Sequence, residues 1–348
     1  MKVSIALASF NGGHYLKEQL DSFTNQTRIP DELVICDDGS TDGSQSIIEE
    51  FSERAPFDVR LERNECNLGY ARNFEKCMAL CNGDVVFMSD QDDVWFPEKI
   101  AQVMSHFSGG EELKVTINDQ EITDSELTRT GKTIFGNSDH LGFGEQWLSA
   151  GCCTAMSRTF VSLALPFPRG SVSHDGWIHM LAKALEIRIV IPQVLQLYRR
   201  HGSNTSDPLA VRNVAFPVLA VLQAHGMRVS IEAWVAQLLS SDTLIQRLER
   251  GLREIVARDA VTSVGSVNRF HKALARERLR RELIHQRLRL LRRSRISRIA
   301  AICKFHSGGG YGFFQGWRSA VKDALRPPIS AEQLRAVTDS LRDRGNLE

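Results

Sequence analysis

Three carboxylates lie within four positions of one another in the segment Met88-Ser-Asp-Gln-Asp-Asp-Val-Trp95. They are Asp90, Asp92 and Asp93, and they directly follow the apolar run 84–88. Carboxylates this close repel one another unless a cation lies between them. A strand that ends in such a cluster is suited to bind a divalent metal and, through it, a diphosphate. The alternative interpretation is an acidic turn exposed to solvent.

Polar side chains also follow two other short apolar runs. Ser9 and Asn11 come after the run 3–8, and Asp37 and Asp38 come after the run 32–36. If these runs are parallel strands, their carboxyl ends meet at one edge of a sheet, where ligands of such sheets bind. Three polar clusters at three strand ends favour a ligand site over three solvated turns. Asp38 can contact a nucleobase or ribose there, or it can simply close a tight turn before a helix.

The elements around these clusters alternate between strand and helix patterns. Short apolar runs predict strands at 3–8, 32–36, 59–63 and 84–88, and helical spacing predicts helices at 15–24, 44–51 and 71–81. This alternation predicts an α/β fold with a mostly parallel sheet and helices on both faces. Residues 210–348 have a mainly helical pattern.

Charge separates the same two regions. Residues 1–209 contain 18 basic and 30 acidic residues, whereas residues 210–348 contain 25 basic and 12 acidic residues. The formal net charge of +1 hides this asymmetry. Opposite charge predicts two domains, 1–209 and 210–348, with different tasks.

The sequence lacks the motifs of several common classes of protein. Neither a Gly-x-Gly-x-x-Gly dinucleotide motif nor a P-loop follows a strand pattern, so phosphate binding would depend on a metal. No apolar stretch approaches the roughly 18 to 20 residues of a membrane span, and the N-terminus is interpreted as the first core strand. The seven cysteines show no paired spacing, which predicts buried thiols in a reducing cytosol.

Four motifs in order resemble those of family 2 glycosyltransferases with the GT-A fold. They are Ala8-Ser-Phe-Asn11, Val34-Ile-Cys-Asp-Asp-Gly-Ser-Thr-Asp42, Asn67-Leu-Gly69 and Ser89-Asp-Gln-Asp-Asp-Val-Trp95. The resemblance is firm over residues 1–105, patchy over 145–207 and weak beyond. The last motif resembles members that transfer rhamnose and related sugars in bacterial surface polysaccharide synthesis.

The resemblance implies a Rossmann-like GT-A domain at 1–209 followed by a mainly helical region. It implies an inverting hexosyltransferase that requires Mg²⁺ or Mn²⁺. The donor would be a nucleotide-diphospho-sugar, with dTDP-rhamnose favoured and a UDP-sugar as the second choice. The acceptor would be a hydroxyl of a glycan or of a lipid-linked glycan. A metal-dependent nucleotidyltransferase and a non-catalytic nucleotide-sugar-binding module remain alternatives.

The resemblance also assigns roles to individual residues. Asp92 would be the principal metal ligand as the second Asp of the D-x-D element, and His201 would supply a later metal ligand. Asp93 would orient the loop or meet the donor sugar. The residues expected to bind the nucleotide-sugar are Ala8, Ser9, Asn11, Asp38, Arg72, Asn73, Asp90, Asp93, Arg199 and Arg200. Of these, the two consecutive arginines are expected to neutralise the departing diphosphate.

The acceptor side is expected around Ser173-His-Asp-Gly-Trp177. An inverting transfer needs one general base, and a carboxylate at a helix start suits that task, so Asp175 is the expected base. The alternative is that Asp175 only caps the helix. Gly151 and Trp177 are expected to line the acceptor site, and Trp147 is a further candidate for stacking on a sugar.

The segment 276–298 is rich in arginine with interleaved leucine. Such a helix could lie on anionic lipid, which would place the protein in the cytoplasm at the inner face of the cell membrane. The alternatives are a solvated face of a helix bundle and nucleic-acid binding. The last is disfavoured because no aromatic residues are interleaved with the arginines.

Overall fold

The computed structural model describes residues 1–108, 112–140, 144–145, 148–169, 173–202, 204, 231–258, 264–314 and 316–347. The chain divides into two compact units, with the main boundary between residues 213 and 214. We call them the α/β unit and the helical unit. The predicted boundary between residues 209 and 210, and the candidate Trp147, lie outside the described residues.

Nine strands of the α/β unit form one sheet. They are β1 (Val3–Ser9), β2 (Glu32–Asp37), β3 (Asp58–Arg63), β4 (Val85–Ser89), β5 (Val94–Trp95), β6 (Val115–Thr123), β7 (Arg129–Thr133), β8 (Thr154–Ser157) and β9 (Arg188–Arg199). The order is β3-β2-β1-β4-β8-β6-β9-β5, and β7 pairs with β6. β1, β2 and β4 are almost wholly buried, as expected of strands covered on both faces.

Seven α-helices connect these strands. They are α1 (Leu16–Thr24), α2 (Ser44–Arg54), α3 (Tyr70–Leu80), α4 (Lys99–Ser105), α5 (Ile134–His140), α6 (Arg158–Ala164) and α7 (His174–Ala184). A 3₁₀ turn, Gly151–Cys153, precedes β8. The apolar faces of α1 and α2 pack with β1, β2 and β4 in one large hydrophobic cluster.

The sheet reverses its direction of growth at β1. The strand β2 pairs with β1 on one side, β4 pairs with it on the other, and all these pairings are parallel. The carboxyl ends of β1 and β4 therefore flank the point where such sheets open a crevice. The predicted α/β fold is confirmed. Beyond β4 the sheet is mixed, because β8 runs antiparallel to both β4 and β6.

Five helices lie in the described residues of the helical unit. They are α8 (Ile231–Arg258), α9 (Val264–Leu291), α10 (Arg295–Ser307), α11 (Trp317–Leu325) and α12 (Ala331–Leu347). Among the described residues, no helix is both long and apolar enough to cross a bilayer. Five of the seven cysteines are buried as predicted, whereas Cys66 and Cys303 are exposed.

The structure corrects the prediction that the leucines of the arginine-rich segment enter lipid. Leu283, Leu288, Leu290 and Leu291 are buried within the helical unit. Several arginines of α9 pair with acids of the same unit, as Arg278 does with Glu249 at 2.6 Å. The helix buries its apolar residues against its neighbours because leucines at helical spacing pack equally well on protein as on lipid.

One ion pair in the helical unit is fully buried. Arg287 donates two hydrogen bonds to Asp323, at 2.8 and 2.9 Å. The Tyr311 hydroxyl donates to the same carboxylate at 2.9 Å. The Arg287 guanidinium also lies 3.9 Å from the ring centre of Trp234. These contacts compensate for the cost of taking both charges out of water.

We expect Asp323→Ala to destabilise the helical unit by about 3–5 kcal/mol, since it leaves the buried Arg287 without its carboxylate. Urea unfolding followed by far-UV circular dichroism measures this loss. Asp339→Ala, which removes an exposed carboxylate of α12, is the matched control and should change the free energy of unfolding by less than about 0.5 kcal/mol. Equal effects of the two substitutions would contradict a structural role for the buried pair.

Candidate active site

The three-carboxylate segment forms the loop between β4 and β5, and we call residues 90–93 the acidic loop. Gln91 fastens this loop to the end of β1. Its side-chain amide accepts from the backbone N–H of Phe10 at 2.8 Å and donates to the Phe10 carbonyl at 3.0 Å. The Ser9 hydroxyl donates to the same amide oxygen at 3.1 Å. A side chain at Gly12 would collide with Gln91, since its Cβ would lie 2.2 Å from the amide oxygen.

A buried polar network supports the acidic loop from inside. The Lys99 ammonium donates to the Cys152 carbonyl at 3.0 Å and to the side-chain oxygen of Gln196. The Gln196 amide in turn donates to Asp93 at 2.8 Å. Lys99, Gln196 and Asp93 are all at most 1% exposed. Asp93 therefore fixes the loop from within, as one of its two predicted roles required.

Carboxylate crowding perturbs the acidic loop strongly. Burial, together with the nearby charges of Asp92 and Asp175, raises the pKa of Asp90 to about 7. Burial and the charges of Asp92 and Asp90 raise the pKa of Asp93. Burial lowers the pKa of Lys99 to about 8 despite the acids around it. The expected base Asp175 is thus near enough to the acidic loop for its charge to act on Asp90.

Asp92 and His201, the two predicted metal ligands, are in direct contact. The His201 Nε2 atom lies 2.8 Å from the Asp92 carboxylate, and the Asn204 amide donates to the same oxygen at 3.2 Å. Both side chains are partly exposed, at 9% for His201 and 13% for Asp92. A carboxylate and an imidazole that converge at a partly open position are suited to hold a divalent cation.

A second group of possible ligands lies deeper. Ligand atoms of Asp90, Asp93 and Cys152 all fall within 4.8 Å of one another. Mg²⁺ and Mn²⁺ prefer oxygen ligands, and the neighbouring Cys153 together with burial raises the pKa of the Cys152 thiol well above its usual range. Asp93 is fully buried and bonded to Gln196, whereas Asp92 and His201 are partly exposed, so the Asp92 and His201 pair fits such a cation better, with Asp90 beside it.

Asp38 organises the loop before α3. Its carboxylate accepts from the Asn64 amide at 2.8 Å and from the backbone N–H groups of Leu68 and Gly69 at 2.8 and 2.9 Å. Asn73 is also buried, and its amide donates to the Cys36 carbonyl at 2.8 Å. These two side chains hold the ends of β2 and α3 together.

The other predicted donor residues lie at the same edge of the sheet or on α3. Ala8 is partly exposed at the end of β1, and the exposed Asn11 accepts from the backbone N–H of Thr41 at 2.9 Å. Arg72 pairs with Glu75 at 2.7 Å. Arg200 is half-buried and donates to the Tyr198 hydroxyl at 3.0 Å.

Asp175 lies in the first turn of α7, where Ser173 is the capping residue that accepts from the Gly176 N–H. The Asp175 carboxylate also accepts from the Gly176 N–H, at 2.7 Å, so the alternative that it serves only the start of the helix stays a prediction beside that of a base. A Cβ at Gly151 would lie 3.7 Å from the Asp175 Cβ and 2.9 Å from the His174 Nε2 atom. Glycine thus permits close approach of the 3₁₀ turn to the start of α7.

His174 is a buried residue with free hydrogen-bonding capacity. It stacks on Phe74, with ring centres 4.7 Å apart. Neither ring nitrogen has a hydrogen-bond partner among the described residues. Burial lowers the pKa of His174, although the Asp175 charge opposes this effect. A neutral imidazole beside the expected base can bind a hydroxyl group.

The structure corrects two predictions. Trp177 is fully buried and donates its indole N–H to the Ala164 carbonyl at 3.0 Å, so it is a core residue and not a sugar platform. Arg199 is 2% exposed and donates to the Asp92 carbonyl at 2.8 Å and to the Ser125 carbonyl at 2.6 Å. It positions the acidic loop and is not available to a diphosphate.

Sequence reasoning missed the residues that hold the loop. They are Gln91, Lys99, Gln196 and Asn204. Gln91 stands inside the motif of the acidic loop and Asn204 follows the candidate His201 by three positions, but residue type did not indicate the role of either. Lys99 and Gln196 carried no signal, because only the folded sheet brings them beneath Asp93.

Comparison with known proteins adds an independent finding. Residues 4–162 match the family described as Glycosyl transferase family 2. An uncharacterized glycosyltransferase of Nostoc sp. is 36% identical over 107 residues, which are 31% of this chain and 33% of that protein. The dTDP-rhamnosyl transferase RfbG of Shigella flexneri is 35% identical over 98 residues, which are 27% of this chain and 34% of that protein. The chain thus spans about a third of the length of these relatives.

A solved structure shows the same fold. S. aureus TarS 1-349, crystallised in complex with UDP, aligns with 99% of this chain and 92% of its own chain, with a TM-score of 0.51 and 15% sequence identity. At this identity the likeness concerns the fold alone. Residues 4–162 of this chain thus match glycosyl transferase family 2, and its α/β unit has the GT-A fold.

Proposed function

We propose that this protein is an inverting hexosyltransferase of bacterial surface polysaccharide synthesis. It moves a sugar from a nucleotide-diphospho-sugar to a hydroxyl of a glycan or lipid-linked acceptor in the cytoplasm, at the inner face of the cell membrane. The favoured donor is dTDP-rhamnose, because the acidic loop has the form found in rhamnose-transferring members and one relative is named a dTDP-rhamnosyl transferase. A UDP-sugar is the second choice.

One observation carries the proposal: the expected base and the acidic loop share a site. The Asp175 charge acts on Asp90, and a Cβ at Gly151 would lie 3.7 Å from the Asp175 Cβ and 3.5 Å from the Cε atom of Met88, near the end of β4. A transferase needs this proximity, because the acceptor hydroxyl must reach the sugar while the loop holds its diphosphate.

The proposed reaction is a single displacement in which each residue of the candidate active site has a role. The acceptor oxygen attacks the anomeric carbon, the bond from that carbon to the diphosphate oxygen breaks, and the Asp175 carboxylate accepts the hydroxyl proton. His174 hydrogen-bonds the acceptor, and Arg200 lies near the leaving diphosphate. Asp38, Ala8, Ser9 and Asn11 form the nucleotide end of the site.

Asp92 and His201, with Asp90 beside them, would hold Mg²⁺ or Mn²⁺. When bound, such a cation offsets the negative charge of the donor diphosphate. The fit rests on the 2.8 Å approach of the two side chains and on the carboxylates that crowd this loop. Arg199 and Asn204 position Asp92 through its carbonyl and its carboxylate.

We expect the protein to release dTDP from dTDP-rhamnose in the presence of Mn²⁺, either by transfer or by slow hydrolysis of the donor. Asp175→Asn should lower this turnover by about 10²–10⁴-fold, since it removes the base. Donor affinity, measured by calorimetry, should remain within about threefold of the original because Asp175 does not face the nucleotide.

The product identifies the reaction class. When dTTP and rhamnose 1-phosphate are supplied instead of dTDP-rhamnose, release of pyrophosphate would indicate a nucleotidyltransferase. Binding of dTDP-rhamnose without any product would indicate a binding module. Asp139→Asn, which alters an exposed carboxylate on α5, is the matched control and should leave turnover unchanged. Normal turnover of Asp175→Asn would show that another group takes the proton.

We expect Asp92→Ala and His201→Ala each to weaken Mn²⁺-dependent donor binding by about tenfold or more, because each removes one ligand of the cation. Titration of the donor at fixed Mn²⁺, with a parallel titration in EDTA, measures the metal-dependent part. The matched controls are Asp139→Ala and His140→Ala, which remove an exposed carboxylate and an exposed imidazole of the same unit. If the binding difference between Mn²⁺ and EDTA persists unchanged in both site variants, the cation is held elsewhere.

A further inference from the structure

One face of α11 exposes large apolar side chains in register. Trp317, Val321 and Leu325 follow one another at intervals of four residues and are 48–64% exposed. Residues spaced in this way lie on one side of a helix. The opposite side of α11 is formed by Ser319, Ala320 and Asp323, which are buried. The apolar face is therefore not needed for packing within the helical unit.

The neighbouring helix α10 has a similar face. Ile296 and Ile299 are 87% and 57% exposed, and Cys303 is exposed one turn further along the same side. The buried side of α10 carries Arg298 and Ile302, and Ile302 joins Ala320 of α11 in one hydrophobic cluster. We call Ile296, Ile299, Trp317, Val321 and Leu325 the apolar face.

The charge around the apolar face has one sign. Residues 292–326 contain eight basic residues and a single acid, Asp323. That acid is fully buried and paired with Arg287. Among the basic residues, the exposed ones are Arg292, Arg293, Arg295, Lys304 and Arg318. The described part of this segment thus presents exposed cations and exposed apolar groups with no exposed carboxylate.

We propose that the apolar face of α10 and α11 binds the surface of an anionic phospholipid bilayer. Apolar side chains of this size, with a tryptophan among them, insert at the boundary between headgroups and acyl chains. Exposed arginine and lysine residues add attraction to anionic headgroups, and this attraction weakens with salt. The proposal moves the membrane contact from the arginine-rich helix α9, whose leucines other than Leu279 are buried, to these two helices.

The composition of the apolar face and its basic surroundings argue against a second copy of this chain and against a nucleic acid as the partner. A second copy of this chain docking through the same face would bring two basic surfaces together. A nucleic acid would be attracted by the arginines but would leave the isoleucine, valine and leucine side chains without a function. An anionic bilayer can bind both the exposed basic residues and the exposed apolar side chains.

Co-sedimentation of the full chain with vesicles tests the proposal without donor or acceptor, so its outcome is independent of the proposed transferase activity. We expect binding to phosphatidylcholine vesicles that contain phosphatidylglycerol to be at least about tenfold tighter than binding to phosphatidylcholine alone. Replacing Trp317, Val321 and Leu325 together with serine should weaken binding to the anionic vesicles by about tenfold or more. Circular dichroism checks that this variant keeps its helices.

The matched control replaces two exposed apolar residues of the same unit that lie outside the apolar face. Val256→Ser with Leu279→Ser should bind anionic vesicles as the original does. If this control loses binding and the triple variant keeps it, the contact lies on α8 or α9 and the proposal is overturned. It is also overturned if the original does not bind anionic vesicles, or if light scattering shows a dimer that the triple variant alone converts to a monomer.

A fluorophore locates the contact directly. Cys303 lies on the exposed side of α10, and Cys66 is the other exposed thiol. An environment-sensitive dye on Cys303 in a Cys66→Ser background should shift to the blue when anionic vesicles are added. The same dye on Cys66 in a Cys303→Ser background should not shift. Equal responses at the two positions would contradict a bilayer contact through α10 and α11.

Discussion

Repulsion between the carboxylates of the acidic loop is the constraint on which the rest of the site depends. The acidic loop brings the carboxylates of Asp90, Asp92 and Asp93 close together. Burial and the neighbouring charges of Asp92 and Asp175 raise the pKa of Asp90 to about 7. Left to themselves, such groups would turn outward into water. The chain prevents this with donors on the inner side of the loop, chief among them the Lys99 ammonium and the Gln196 amide. The loop is therefore shaped before any cation arrives.

The reversal of strand order at β1 explains why this loop meets the rest of the site. β4 lies beside β1 but is fourth in the chain, so the carboxyl ends of these two strands adjoin at the point where such sheets open a crevice. Gln91 bridges that gap by pairing with the backbone of Phe10. The antiparallel β8 then brings the 3₁₀ turn and Gly151 against the start of α7. The pairing of neighbouring strands in the sheet thus brings together side chains of the site that are far apart in the sequence.

The sequence predicted the strand ends well because each was marked twice, by an apolar run and by the polar residues that follow it. The resemblance named Asp92 and His201 as metal ligands, and the structure brings these two side chains, 109 positions apart, into contact. The sequence failed for Trp177 and Arg199, because residue type does not tell whether a side chain turns inward. Trp177 fills the core beside Ala164, and Arg199 is enclosed by three acceptors. Lys99 could not be predicted, since its partners come from β9 and from the turn before β8.

The central claim is that Asp92 and His201 hold a cation that faces the donor diphosphate. Anomalous diffraction from a crystal grown with Mn²⁺ and dTDP tests it most directly. We predict one manganese peak within bonding distance of the Asp92 carboxylate and the His201 imidazole, with the diphosphate on its open side and Asp175 facing the vacant sugar position. A peak bound instead by Asp90, Asp93 and Cys152, or a diphosphate bound away from the ends of β1 and β4, would contradict the account.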